Sequence, residues 1–286
     1  PFDLMICIGS DVLQMSVWSE TDPLPLDLPI VQIGLRDWEM GKNYPAEIAL
    51  RSDVKETLQK LIPQLRQLQD TKRTRTSVTS LEQIAQNNWS TNREQRRQDI
   101  GARLDDSSID PDWLMMQIAD SIPADTIIVD EGLTTSKNLL QFLPHRDRYS
   151  YFGMVTGGIG WGIAAAVGVQ LAQPNRPVVA ISGDGSAMYS PQALWTAAHL
   201  ELPILFLIFN NQGYRILKER LLAFHGNDQY IGMNLREPSI DFTGLATSFG
   251  MRAEKIVDPA QFEVIFKDAV NFDTPCLLEI MLQPGP

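Results

Sequence analysis

The sequence predicts an α/β fold: a parallel sheet with helices on both faces, preceded by a smaller and partial α/β layer. Three observations carry that prediction. From residue 109 onward, β-rich apolar runs alternate with helix-length segments, as strand–helix–strand units require. The central run, VVAIS at 178–182, reads as a buried strand. Three helices open on one signal, Asp110-Pro111, Ser190-Pro191 and Asp258-Pro259. Each sets a capping side chain before a proline at the first helical position.

In chain order, residues 1–69 hold the short apolar runs DLMICIG, PIVQIGL and AEIAL. An amphipathic helix follows, with Ser52 expected as its N-cap, Leu58, Leu61, Ile62, Leu65 and Leu68 at helical spacing, and Pro63 as a kink point. Three strands and one helix are too few to cover both faces of a parallel sheet. The chain also opens without a Met, directly in a strand-like run. The remainder of that layer is therefore expected upstream of Pro1. Residues 70–108 are polar and charged and read as a linker with one short helix around 81–87. Its basic clusters read as solvated surface.

From 109 the expected order is helix 109–122, strand 125–130, a Gly/Ala-rich helix 157–172, strand 177–182, helix 190–201 and strand 202–209. Helix 240–250, strand 252–257, helix 258–270 and strand 275–282 complete it, with Gly250 placed as a C-terminal cap. No internal repeat is evident.

Composition narrows the function classes. The 286 residues carry a net charge of -11 with 44% hydrophobic content. An acidic chain lacks the basic face a nucleic-acid binder needs, and no apolar run reaches the roughly 18 residues of a membrane span. The start PFDLMICIGS has no basic n-region and is not expected to be a signal peptide. Cys7 and Cys276 sit in apolar strand-like runs and read as reduced core residues of a cytoplasmic protein.

Ligands of open α/β sheets bind beyond the carboxyl ends of the strands. Four polar stretches fall there: Glu131 to Ser136, Thr156 to Gly160, Gly183 to Ser186, and Asn210 to Tyr214. Alone, Gly-Asp-Gly is also an ordinary turn. Together, Asp184, Asn211 and a backbone carbonyl near Gly213 offer hard oxygen ligands of the kind Mg²⁺ takes with phosphate oxygens. Flanking glycines let backbone N–H groups approach a phosphate, and Thr134, Thr135 and Ser186 add hydroxyls. No GxxxxGK[ST] occurs. GGIGWG departs from a dinucleotide fingerprint at Ile163, and alone it reads as close helix packing as readily as a site.

The stretch GDGSAMYSPQALWTAAHLELPILFLIFNNQGY resembles the thiamine-diphosphate motif, with Asp184 and Asn211 spaced 27 positions apart. Its wording is similar to benzoylformate decarboxylases and their relatives. The resemblance implies a complete diphosphate-binding (PP) domain over 109–286 and the later part of a Rossmann-like central domain over 1–69. It implies thiamine diphosphate and Mg²⁺ as cofactors, with Asp184, Asn211 and the Gly213 carbonyl on the metal. Thr134, Gly185, Ser186 and Tyr214 would contact the diphosphate. The Gly157 carbonyl would receive the aminopyrimidine amino group, and Ile159 would be the wedge that bends the cofactor, bringing its imino nitrogen to the thiazolium C2 proton. The ylid so formed attacks a 2-oxo acid, and CO₂ leaves. The cofactor supplies the hard chemistry and the protein positions it.

The family's cofactor-activating Glu lies on a pyrimidine-binding (PYR) domain that these residues do not include, and Glu131, on the diphosphate side, does not replace it. Sites in the family form between subunits. The chain is thus expected to be half of a homo-oligomeric decarboxylase, inactive without a PYR partner. At the substrate end Ser16, with Trp18 nearby, stands about where benzoylformate decarboxylases have a His. Ile216 and Arg220 replace small and aromatic pocket residues. Arg220 either favours an acidic or polar acceptor or points to solvent. His145 and His199 read as surface residues. His225 falls in a long segment that could close over substrate. An acetolactate synthase-like carboligase and a non-catalytic cofactor-binding subunit are the alternative readings.

Overall fold

A computed structural model describes residues 2–13, 21–104, 108–155, 157–271 and 273–285. Ser16, Trp18 and Thr156 therefore lie outside the described residues. The chain divides into two compact units, Pro1–Gln86 and Asn87–Pro286.

The first unit is a three-stranded parallel sheet of β1 (Met5–Ile8), β2 (Ile30–Gly34) and β3 (Ile48–Arg51) in that order, followed by α1 (Val54–Leu68) and α2 (Thr71–Gln86). Cys7, Val12 and Ile30 form its small core. Helix α1 starts one residue later than the sequence suggests. Asp53, not Ser52, caps it, its carboxylate accepting from the Glu56 amide at 3.0 Å. Ser52 stays tied to the sheet through its own amide, which donates to the Gly34 carbonyl at 2.8 Å. Pro63 lies inside the unbroken helix.

The second unit opens with α3 (Trp89–Arg103) and α4 (Pro111–Ser121). Residues 71–86 and 89–103 are thus helical, where the sequence suggests a linker with one short helix. No Gly or Pro interrupts the chain between Pro63 and Gly101, so nothing breaks a helix there, and the Lys, Arg, Glu and Gln residues favour one. Ile100 joins the main core, and Arg97 pairs with Asp120 at 2.6 Å, fastening α3 to α4.

The remaining elements are β4 (Ile127–Glu131), β5 (Tyr151–Gly153), α5 (Gly162–Ala172), β6 (Val178–Gly183) and the short α6 (Asp184–Ala187). Then come α7 (Gln192–His199), β7 (Ile204–Asn210), α8 (Arg215–His225), α9 (Phe242–Ser248), β8 (Arg252–Ile256), α10 (Pro259–Ala269) and β9 (Cys276–Met281). The six strands are all parallel, in the order β5-β4-β6-β7-β9-β8.

Side chains alternate across β7. Leu205, Leu207 and Phe209 pack with Leu114, Phe262 and Phe266 of α4 and α10. Ile204, Phe206 and Ile208 pack with Ile163, Leu194 and Phe242 of α5, α7 and α9. Both faces are therefore covered, as the apolar runs require. Asp110 and Asp258 cap α4 and α10 as read from the sequence. Gly250 has a φ of +83° just beyond α9. Ser190 does not cap α7; its hydroxyl donates to the Gly160 carbonyl at 2.6 Å. Cys7 and Cys276 are buried free thiols. Among the described residues no helix is long and apolar enough to cross a membrane.

Candidate functional site

From β4 the chain steps outward to β5, then returns to the other side of β4 to lay down β6 and β7. Such a reversal opens a crevice beyond the carboxyl ends of the strands. A cavity of about 190 Å³ lies there. All nine sequence-predicted site residues line it. Thr134 comes from the loop after β4, and Gly157 and Ile159 from the loop after β5. Asp184, Gly185 and Ser186 follow β6, and Asn211, Gly213 and Tyr214 follow β7.

Asp184 is 2% exposed. Its carboxylate accepts from the Gly213 amide at 2.8 Å, joining the loops of two adjacent strands. Burial pushes its pKa up to about 6, against the opposing pull of the Gly185, Gly213 and Gln212 amides. A buried carboxylate in this state gains from a cation. Two further polar atoms are buried without a hydrogen-bond partner, the Asn211 Oδ1 and the Ser186 hydroxyl. Buried orphans of this kind mark a place where a ligand supplies the missing bonds. The Gly213 carbonyl accepts from the Arg215 amide at 2.9 Å and keeps a second lone pair. One carboxylate, one amide oxygen and one carbonyl form a hard donor set suited to Mg²⁺ completed by phosphate oxygens. Among the described residues no cluster of three His, Cys, Asp or Glu could hold a metal.

Tyr214 packs its ring directly over Gly185, where a Cβ would lie 2.5 Å from the ring. The loop after β5 is pinned from two sides. Glu131, itself 1% exposed, accepts from the amides of Gly160, Trp161 and Gly162, the last at 2.8 Å. Ser190 holds the Gly160 carbonyl, and Gly160 adopts a φ of +98° that disfavours a side chain. Ile159 sits at the edge of this clamp. The turn after β7 is stitched to a later segment: the Tyr214 amide donates to the Met233 carbonyl, and the Leu235 amide to the Gln212 carbonyl, each at 2.9 Å.

Several expectations sort themselves against this geometry. Thr135 is buried outside the cavity lining. Ile216 and Arg220 both line the cavity, from α8, a helix absent from the order expected from the sequence. Signals for α8 were present: Ile216, Leu217, Leu221 and Phe224 at helical spacing, and Gly226 as a stop at φ +58°. Leu133, Met154 and Leu217 line the cavity without having been singled out. His145, His199 and His225 are exposed, with His199 stacked on Trp195 at 4.9 Å.

Comparison with known proteins agrees with this architecture. Residues 133–280 match the family described as thiamine pyrophosphate enzyme, C-terminal TPP binding domain. Benzoylformate decarboxylase of Pseudomonas aeruginosa is 30% identical over 282 residues, 98% of this chain and 49% of that protein. The acetolactate synthase large subunit of Porphyra purpurea is 26% identical over 280 residues, 97% of this chain and 45% of that protein. The solved thiamine diphosphate-dependent 4-hydroxybenzoylformate decarboxylase of Rhodococcus jostii RHA1 superposes with a TM-score of 0.74 at 26% identity, over 99% of this chain and 49% of that one. The chain thus spans about half the length of the relatives it matches. On the match of residues 133–280 and this similarity, the chain belongs to the thiamine pyrophosphate enzyme family.

Proposed function

We propose that the chain is the cofactor-holding half of a Mg²⁺- and thiamine-diphosphate-dependent decarboxylase acting on 2-oxo acids. In this reading 109–286 is the PP domain and 1–69 is part of the central domain. One observation carries it: a desolvated Asp184 converges with the orphaned Asn211 Oδ1 and Ser186 hydroxyl on one cavity. Asp184, Asn211 and the Gly213 carbonyl hold the cation. Thr134, Gly185, Ser186 and Tyr214 hold the diphosphate. When bound, thiamine diphosphate supplies the electron sink for loss of CO₂. The chain's own work is placement: the Gly157 carbonyl receives the aminopyrimidine amino group, Ile159 wedges the cofactor, and the Glu131–Ser190 clamp fixes that loop.

Asp184 is the only carboxylate lining the cavity among the described residues, and in this reading it is taken up by the cation. As the family resemblance implies, the proton relay for the aminopyrimidine then falls to a PYR domain, in a homo-oligomer with sites shared between subunits. The chain by itself is inactive. Arg220, at the cavity and exposed, supports a second reading, a carboligase that takes an acidic acceptor. The test is titration of the chain with thiamine diphosphate, with and without Mg²⁺, read by tryptophan fluorescence. Saturable binding that needs Mg²⁺ is expected; none would sink the reading. With a PYR partner supplied, pyruvate yields acetaldehyde for a decarboxylase and acetolactate for a carboligase.

A further inference from the structure

Behind the turn at 210–213, a chain of polar groups runs through the sheet from its edge to the site. Glu279 of β9 is fully buried. One of its oxygens accepts from Asn210 Nδ2 at 2.7 Å. The other lies 3.1 Å from Nζ of Lys255, its neighbour across the β8–β9 pairing. On the far side, Asn210 Oδ1 accepts from the Gln212 amide at 3.0 Å. Gln212 has a φ of +60°, a left-handed conformation that a residue with a side chain holds only under constraint.

The donor inventory makes this chain directional. A carboxylate only accepts. Asn210 must therefore turn its NH₂ toward Glu279, which leaves its oxygen for Gln212. Lys255 is half-exposed and meets the buried Glu279 oxygen as an ion pair without hydrogen-bond alignment, a contact that adds little stability alone. Its value here is orientation. We infer that Glu279, anchored by Lys255, fixes the amide orientation of Asn210 and so sets the left-handed turn that presents the Asn211 oxygen and the Gly213 carbonyl to the cation. Glu279 is a positioning residue: it touches neither cofactor nor substrate. Only the metal-binding half of the inference rests on the proposed function.

Glu279→Gln in the full chain tests it with two readouts. The first is hydrogen exchange at the Gln212 and Gly213 amides without ligand, which reads the turn whatever the site binds. The second is a Mg²⁺ titration in the presence of thiamine diphosphate. Exchange at 212–213 is expected to rise about tenfold, with β6 unchanged, and Mg²⁺ affinity to fall about 10–100-fold, as for lost partners of metal ligands. Pairing Glu279→Gln with Asn210→Asp restores one donor and one acceptor at the contact, and both readouts are expected to return to near wild type. Wild-type exchange and affinity in Glu279→Gln overturn the inference, as does a folded double variant that recovers neither. If Glu279→Gln does not fold, Asn210→Ala removes the same acceptor, and unchanged exchange at 212–213 there overturns it. Wild-type protein that binds no Mg²⁺ would sink the proposed function, while the exchange readout would still judge Glu279.

Discussion

Asp184→Asn separates the cost of a buried charge from its use. In the metal-free chain, burial holds this carboxyl at about 6 against an ordinary 3.8. A carboxyl raised in the folded state lends stability that is complete below about 3.8 and lost as pH rises through about 6. At about 1.4 kcal/mol per pH unit, the gap corresponds to about 3 kcal/mol. Metal-free wild type should lose that amount between about pH 4 and 7, and the Asp184→Asn variant, neutral at this position throughout, should not. The amide gives back about 1 kcal/mol, because its NH₂ cannot accept a backbone N–H as the replaced carboxylate oxygen does. At pH 8 the variant should therefore be the more stable by about 2 kcal/mol, or roughly 4–8 °C in Tm. Mg²⁺ with thiamine diphosphate should reverse the order, since ligand that binds only the folded wild type stabilises it alone. Thermal denaturation in chelator across pH, then with Mg²⁺ and cofactor, reads both halves. A variant that loses stability with pH as steeply as wild type, or binds Mg²⁺ equally well, would refute the reasoning.

Two further outcomes are expected. Glu131→Gln should destabilise the chain by about 2 kcal/mol in chemical denaturation, because it weakens charge-assisted bonds to three amides; it should also weaken cofactor binding measured calorimetrically, since the loop carrying Ile159 loses its anchor. Phe206→Ala, at a β7 side chain with no exposure that packs with α5 and α7, should cost about 3–5 kcal/mol in the same denaturation assay.

What was legible in the sequence follows from where the physics is local. Strands β4, β6 and β7 are covered on both faces, so they read as continuous apolar runs. Asp110 and Asp258 act within one turn of themselves, so their caps could be read from neighbours. Convergence of Asp184 and Asn211 was legible because both stand at the ends of adjacent parallel strands. Ser190 shows the limit: the same Ser-Pro signal yields to a carbonyl 30 positions away. Helix α2 was legible only in its last turns around 81–87, because its first half is Thr- and Ser-rich, and α3 was hidden because it lacks a strong apolar stripe and takes its anchoring from Arg93 and Arg97 on Asp120. Glu131 and Glu279 were invisible as positioning groups, since each acts on residues far along the chain.

The stitching of Met233 and Leu235 onto the turn after β7 changes what the 226–240 segment is for. In sequence it reads as part of a long segment that could close over substrate. In the fold, two of its backbone groups act as the outer rim of the turn that carries Asn211. Tolerance to redesign should thus change within a few residues: extra chain spliced in at exposed Asn227 to Gln229 adds only loop length, whereas the same splice at 233–235 reshapes the site from outside. Anyone grafting or shortening this segment is editing the turn proposed to hold the cation.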